Sequence, residues 1–173
     1  MGLFLIAGLV AIALETAPVG IGPTALPSPD LLFCVVAHWA LRAPGAVPVL
    51  LVFALGLARD LLSDPPLGLA ALALVFAAEW LKSRRGLLAR QPFFVEWLTV
   101  AVAAAAMMSA IWLAVVLSLA QPPYLSHMAQ QFAFTVLAFP LIGGVLSLGL
   151  GVREGRGRQR SATRGGAASG GSA

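Results

Sequence analysis

Apolar stretches follow one another from residue 3 to residue 150, and nearly every charged side chain falls between them or at their ends. Few folds suit such a chain. Charged residues make up only 10% of it and hydrophobic ones 60%. A water-soluble domain needs about 25% charged residues to cover itself. With a mean hydropathy of +0.93, the solvent that fits is lipid, where the backbone must satisfy its own hydrogen bonds. The fold class read from this is all-α: a polytopic transmembrane helical bundle of about six spans.

The spans are expected at residues 3–14, 31–41, 47–62, 67–81, 97–119 and 129–150. The last two are long enough to cross a hydrocarbon core of about 30 Å at about 1.5 Å per residue. The first four are short and need flanking residues or a locally thinner bilayer. Residues 1–150 therefore form one membrane helical domain. From residue 151 to 173 the chain turns to Gly, Ser, Ala and Arg, with no large apolar side chain after Val152. Such a stretch buries too little to offset its ordering entropy and is read as a disordered basic cytoplasmic tail.

The punctuation between spans has physical meaning. Ser28-Pro29-Asp30 has the form of a helix start, with Ser28 as N-cap and Pro29 in the first turn. Pro44-Gly45 stops the second helix and Pro48 opens the third. Ser63 or Asp64, followed by Pro65 and Pro66, repeats the start signal. Gly86, Arg90 and Pro92 mark a longer connection, and Gln121-Pro122-Pro123 ends the fifth helix. Pro140 lies inside the sixth and should kink it.

Six spans with a cytoplasmic N-terminus put ten of the eleven basic residues on the cytoplasmic face and leave only Arg59 outside. This is the asymmetry of the positive-inside rule, and it places both termini in the cytoplasm. The first segment has the length of a signal-peptide core. It lacks a basic n-region, and Ala11-Ile12-Ala13 falls too early for cleavage, so it is read as a retained helix.

The third-to-fourth helix junction is the least ordinary segment. Arg59 and Asp60 lie near the end of an apolar helix, where ionisable groups must be paired or wetted. Asp60 and Asp64 are four apart and would share a helix face. Either an ion or ligand site or a hydrogen-bonded cluster fixing the hairpin would use them, and the structural reading is preferred. Gly68 would let another backbone approach closely. The candidate hairpin residues are Arg59, Asp60, Asp64, Pro66 and Gly68. A membrane-surface basic cluster of Lys82, Arg84, Arg85 and Arg90 is interleaved with Leu87, Leu88, Phe93, Phe94 and Trp97, which suits a loop in the headgroup layer. Its partner is membrane lipid, not nucleic acid, because topology already accounts for the charges. Glu79 and Lys82 form an i,i+3 surface pair. Small residues across 101–106, and at Gly143, Ser147 and Gly151, mark surfaces where helices can approach closely.

Cys34 stands alone, which excludes an internal disulfide, and it is read as a small apolar filler. His38 and His127 have no carboxylate at ligand spacing, so no metal or cofactor is expected. No zinc-protease motif, nucleophile elbow or phosphate loop is present. Ser63 and Ser109 lack an evident histidine, and no enzyme is expected.

The run from residue 60 to 72, with Pro66-Leu67-Gly68-Leu69 and then Ala71-Leu72, resembles the signature hairpin of the MreD family, rod shape-determining membrane proteins, in an alphaproteobacterial version. Pro29-Asp30-Leu31-Leu32, the basic loop after the fourth helix and Glu96-Trp97 are similar too. The likeness covers residues 29–150. The first helix lacks the basic residue such proteins would carry, and the tail has no counterpart. The resemblance implies a non-enzymatic inner-membrane component of the elongasome, which acts in lateral peptidoglycan synthesis and cell shape. Its implied partners are an MreC-like protein and, directly or indirectly, MreB, RodA and a class B penicillin-binding protein. It also implies a fold similar to the membrane substrate-binding components of vitamin transporters. The alternative is a small-molecule-binding transporter subunit, which shares the helix count.

Overall fold

A computed structural model of the chain describes residues 2–16, 29–62, 68–88, 91–118 and 124–149, without the side chains of residues 147–149. Ser28, Ser63, Asp64, Pro65, Pro66, Arg90, Gln121, Pro122, Pro123, Gly151 and the tail lie outside the described residues. The described residues are helical apart from short joints, with no strand among them. In chain order the helices are α1 (Gly2–Thr16), α2 (Leu31–Arg42), α3 (Val49–Leu62), α4 (Leu69–Leu88), α5 (Phe93–Leu117) and α6 (Leu125–Gly149). A short 3-10 turn, Pro44–Ala46, joins α2 to α3.

α2 is the centre of the bundle. It packs on α1, α4 and α6, and residues Leu32 to Ala40 are buried without interruption. A helix apolar all round has no face to offer water and goes inside. Phe4 of α1 packs edge-on against Trp39, with ring centroids 5.8 Å apart. Among the described residues, α5 and α6 alone are long and apolar enough to cross a membrane. The large apolar side chains left exposed, among them Leu50, Phe76, Leu137, Leu141 and Val145, form a lipid-compatible outer surface.

The start signals work differently from the sequence expectation. Asp30, not Ser28, caps α2: its carboxylate accepts the Phe33 N–H at 2.8 Å, and the helix begins one residue later at Leu31. The basic segment after the fourth span is not a loop. α4 runs on through Gly86 to Leu88, so Lys82, Arg84 and Arg85 are helical, and the connection to α5 shrinks to residues 89–92. Alanine, leucine and long basic side chains all have good helix propensity, and a single glycine costs only about 1 kcal/mol. α5 begins at Phe93 rather than near Trp97.

The close backbone approach expected at Gly68 falls at a different glycine. Gly68 has φ +86, the left-handed region that favours glycine, and a Cβ there would meet nothing within 4 Å. It is needed for its backbone angle, not for close approach. The close approach is at Gly56 in α3, where an added Cβ would sit 2.7 Å from the Ala71 Cα of α4. Backbone cannot yield as a flexible side chain can, so Gly56→Val is expected to force α3 from α4. Overpacking of this kind costs about 1–3 kcal/mol. A lowered melting temperature in detergent, with Gly86→Val as an unobstructed comparison, checks it.

Candidate functional site

The polar side chains collect at the two ends of the bundle, and the richer end gathers where α1 finishes, α2 begins, α3 finishes and α4 begins. Arg59 is the hub. Its Nη1 lies 2.8 Å from Asp30 Oδ1 and its Nε lies 3.4 Å from Glu15 Oε2. Glu15, on the last turn of α1, also accepts the Leu32 N–H at 2.8 Å. The Asp30 N–H donates to Thr135 Oγ1 of α6 at 2.9 Å, and that hydroxyl donates to the Gln131 carbonyl at 2.8 Å. One polar chain therefore links α1, α2, α3 and α6. Asp30 is 2% exposed, and a buried carboxylate at such a depth requires a partner of opposite charge and full hydrogen bonding.

Asp60 turns the other way, toward α4. Its Oδ2 accepts the N–H of Gly68 at 3.0 Å and of Ala71 at 3.2 Å. These are the N-cap and N3 donors that begin α4, the pair that a capping box satisfies from within its own helix. Here a carboxylate on the preceding helix supplies both bonds, at the positive end of the helix dipole. Asp60 is 1% exposed. Arg59 and Asp60, adjacent in sequence, thus serve opposite sides of the bundle. Asp64 and Pro66 lie outside the described residues.

The opposite end carries the remaining described cations. Arg42, the last residue of α2, reaches Glu96 in the first turn of α5, with Nη2 at 3.1 and 3.2 Å from the two carboxylate oxygens. The Glu79–Lys82 pair expected from spacing is present at 2.6 Å, and Lys82 also donates to the Val47 carbonyl at 2.6 Å. That second bond ties α4 to the turn before α3. Arg84 lies over the Trp80 ring, 5.3 Å from its centroid.

Sequence reasoning missed a second set of polar contacts, at the proline of α6. Pro140 has no N–H, so the carbonyl of Val136 four residues earlier loses its helical donor. Trp97 of α5 supplies the replacement: its indole Nε1 donates to Val136 O at 2.9 Å. One position earlier, Cys34 Sγ of α2 lies 3.5 Å from the Thr135 carbonyl. Trp97 is therefore turned into the bundle rather than held in a headgroup-layer loop, and Cys34 has a polar role beside its packing. The signal in the sequence was the proline itself, which always releases a carbonyl; which neighbour answers it is a tertiary fact.

That geometry predicts a coupling. Trp97→Phe keeps the ring but strands the Val136 carbonyl, which costs about 1–3 kcal/mol if the site stays dry. In a Pro140→Ala background the backbone supplies its own donor, so the same Trp97→Phe change is expected to cost less. A double-mutant cycle on melting temperature checks this; equal costs in both backgrounds would remove the assignment.

Beyond the proline a cavity of about 290 Å³ lies between α2, α5 and α6, lined by His38, Arg42, Phe93, Glu96, Phe139, Pro140, Gly143 and Gly144. A larger groove of about 410 Å³ between α4 and α5 has almost wholly apolar walls, floored by alanines such as Ala77 and Ala103.

An all-helical bundle with an apolar exterior and cross-helix polar bonds at each end defines the class: a small helical protein of membrane type. The chain belongs to the MreD family: the family model described as rod shape-determining protein MreD matches residues 1–148. No curated protein and no solved structure matches it, so the expected likeness to vitamin-transporter components is without support. The family consists of membrane proteins, is part of the MreB–MreC–MreD shape system, and acts in rod-shape determination. The transporter-subunit alternative has no support.

Proposed function

We propose that this chain is a non-enzymatic, six-span component of the bacterial inner membrane that holds an MreC-like partner within the elongasome. Through that partner it would act with MreB, RodA and a class B penicillin-binding protein during lateral peptidoglycan synthesis. The observation that carries the reading is the polar linkage at the α3–α4 end. Arg59 locks α3 to α1 and α2, while Asp60 locks Gly68 and the start of α4, so the end of α3 and the start of α4 are held in a fixed relation. Cross-helix polar contacts of this kind serve geometry rather than turnover, and helix ends held in a fixed relation suit recognition by a partner helix.

The same proposal places the Arg59 end outside and the Arg42, Lys82, Arg84 and Arg85 end in the cytoplasm, with both termini and the residue 151–173 tail. It follows the positive-inside rule. Arg84, Arg85 and Arg90 then meet anionic headgroups, each adding about 1 kcal/mol near the surface. α1, α2 and α3, of 15, 12 and 14 residues, are shorter than a core of about 30 Å requires, and the bilayer thins around them.

Depletion in a rod-shaped host is expected to give rounded cells, and the tagged chain is expected to retain an MreC-like protein through detergent purification. Normal rods after depletion, or a C-terminal tag accessible from outside intact cells, would overturn the proposal.

A further inference from the structure

The groove between α4 and α5 plays no part in the shape-system reading. Its volume is about 410 Å³. On α4 it runs from Ala73 to Trp80, about 10 Å at the helical rise, and on α5 from Val102 to Ala110, about 12 Å. Ala77, Ala103 and Met107 are buried at its floor, while Phe76 stands 73% exposed at its rim. The groove is long and almost free of polar atoms.

One end of it carries charge. Trp80 lines the groove, and Arg84, one turn further along α4, lies over its ring with Cζ 5.3 Å from the centroid. Helical side chains lean toward the N-terminus of their own helix, so Arg84 leans back over Trp80 toward the groove mouth. The ring face attracts the cation and leaves its fork of N–H donors for an oxyanion. Arg85 is exposed beside it. Among the described residues no carboxylate pairs with either arginine. Lys82, by contrast, is held by Glu79 and the Val47 carbonyl.

An apolar groove ending at two such cations matches an amphiphile with a hydrocarbon tail and a negative head. A soluble anion leaves the groove empty, and a neutral tail leaves the arginines unanswered. A partner helix is about 10–12 Å across and meets the projecting Phe76 before the alanine floor, whereas a single hydrocarbon chain lies beside that ring. We propose that the groove seats one acyl chain of an anionic phospholipid whose phosphate is held by Arg84, with Arg85 adding positive charge. Trp80 then sits at the joint of tail and head, the level that indoles favour in a bilayer. The proposal deepens the placement of Arg84 and Arg85 among headgroups. It rests on the chain spanning a bilayer, which resistance to alkaline extraction from membranes reads separately, and not on a role in cell shape.

The test uses the full chain, delipidated in detergent and titrated with phosphatidylglycerol or phosphatidylcholine, with bound lipid counted by native mass spectrometry. One phosphatidylglycerol per chain is expected, bound about tenfold more tightly than phosphatidylcholine, a difference of about 1.4 kcal/mol. Arg84→Gln changes an exposed side chain and should erase the difference between the two lipids. Ala106→Leu with Ala110→Leu fills the groove from two exposed positions and should abolish binding of both lipids. Ala54→Leu, exposed on α3, should change neither. Glycerol phosphate, a head without a tail, should not compete. Equal affinity for the two lipids, a preference that survives Arg84→Gln, unchanged binding in the groove-filling variant, or competition by glycerol phosphate would each overturn the proposal. So would a dimer that the groove-filling variant dissolves, because the groove would then be a contact between two copies of the chain.

Discussion

Arg59→Met is expected to leave little folded protein in the membrane. The substitution keeps most of the side-chain bulk but removes the one cation facing Asp30 and Glu15. Asp30 cannot turn to water, since it caps α2 and is buried beneath Thr135 of α6. Removing one partner of a buried ion pair costs about 3–5 kcal/mol, because the charge left behind stays desolvated. That is a large share of the stability of a typical domain, about 5–15 kcal/mol. Accumulation in membranes and melting temperature after purification measure the loss. The charge argument has its own control. Adding Glu15→Gln to Arg59→Met removes one stranded carboxylate and should recover part of the stability. If the double variant is no better than the single one, the loss comes from packing and not from charge.

Asp60→Ala is the second large effect. Two donors at the start of α4, on Gly68 and Ala71, lose their acceptor together. The Ala71 site is buried, so water does not readily replace the carboxylate. Each donor left dry costs about 1–3 kcal/mol. The first turn of α4 is expected to fray, and the fixed relation between the end of α3 and the start of α4 is lost. Hydrogen exchange at residues 69–72 should rise selectively while α5 and α6 stay protected. Asp60→Asn keeps a carbonyl oxygen of the same reach and should retain most of the cap. Under the proposed function, co-purification of an MreC-like protein should fall with Asp60→Ala and largely survive Asp60→Asn. A frayed α4 that still holds its partner would separate hairpin geometry from recognition.

The two variants probe adjacent residues with unrelated duties. Arg59 acts backward, on segments 29 and 44 positions earlier in the chain, and Asp60 acts forward on the helix that follows. Sequence inspection marked both because ionisable groups at the end of an apolar helix demand partners. It required a partner or water for Arg59 without naming one. Glu15 and Asp30 each carried the same demand, being lone acids at the borders of apolar segments. What was missing was distance, since four helices must pack before Glu15, Asp30, Arg59 and Thr135 meet. Trp97 and Pro140 repeat the lesson. The proline announces a free carbonyl, but only the approach of α5 to α6 decides that an indole reaches it.

The sequence by itself determined the helical class, the number and order of the described helices, the end at which charge of each sign collects, and the carbonyl that Pro140 frees in α6. These follow from local hydropathy, from proline's missing donor and from the cost of charge in lipid, and they need no knowledge of neighbours. Tertiary structure alone decided that α2 is the central helix, that Asp60 caps a helix it does not belong to, that Gly56 rather than Gly68 admits a close backbone, and that His38 borders a cavity. Each of these depends on which faces meet across the bundle. Where every face is apolar, as along α2 and α5, periodicity does not say which one turns inward, and packing shape settles it.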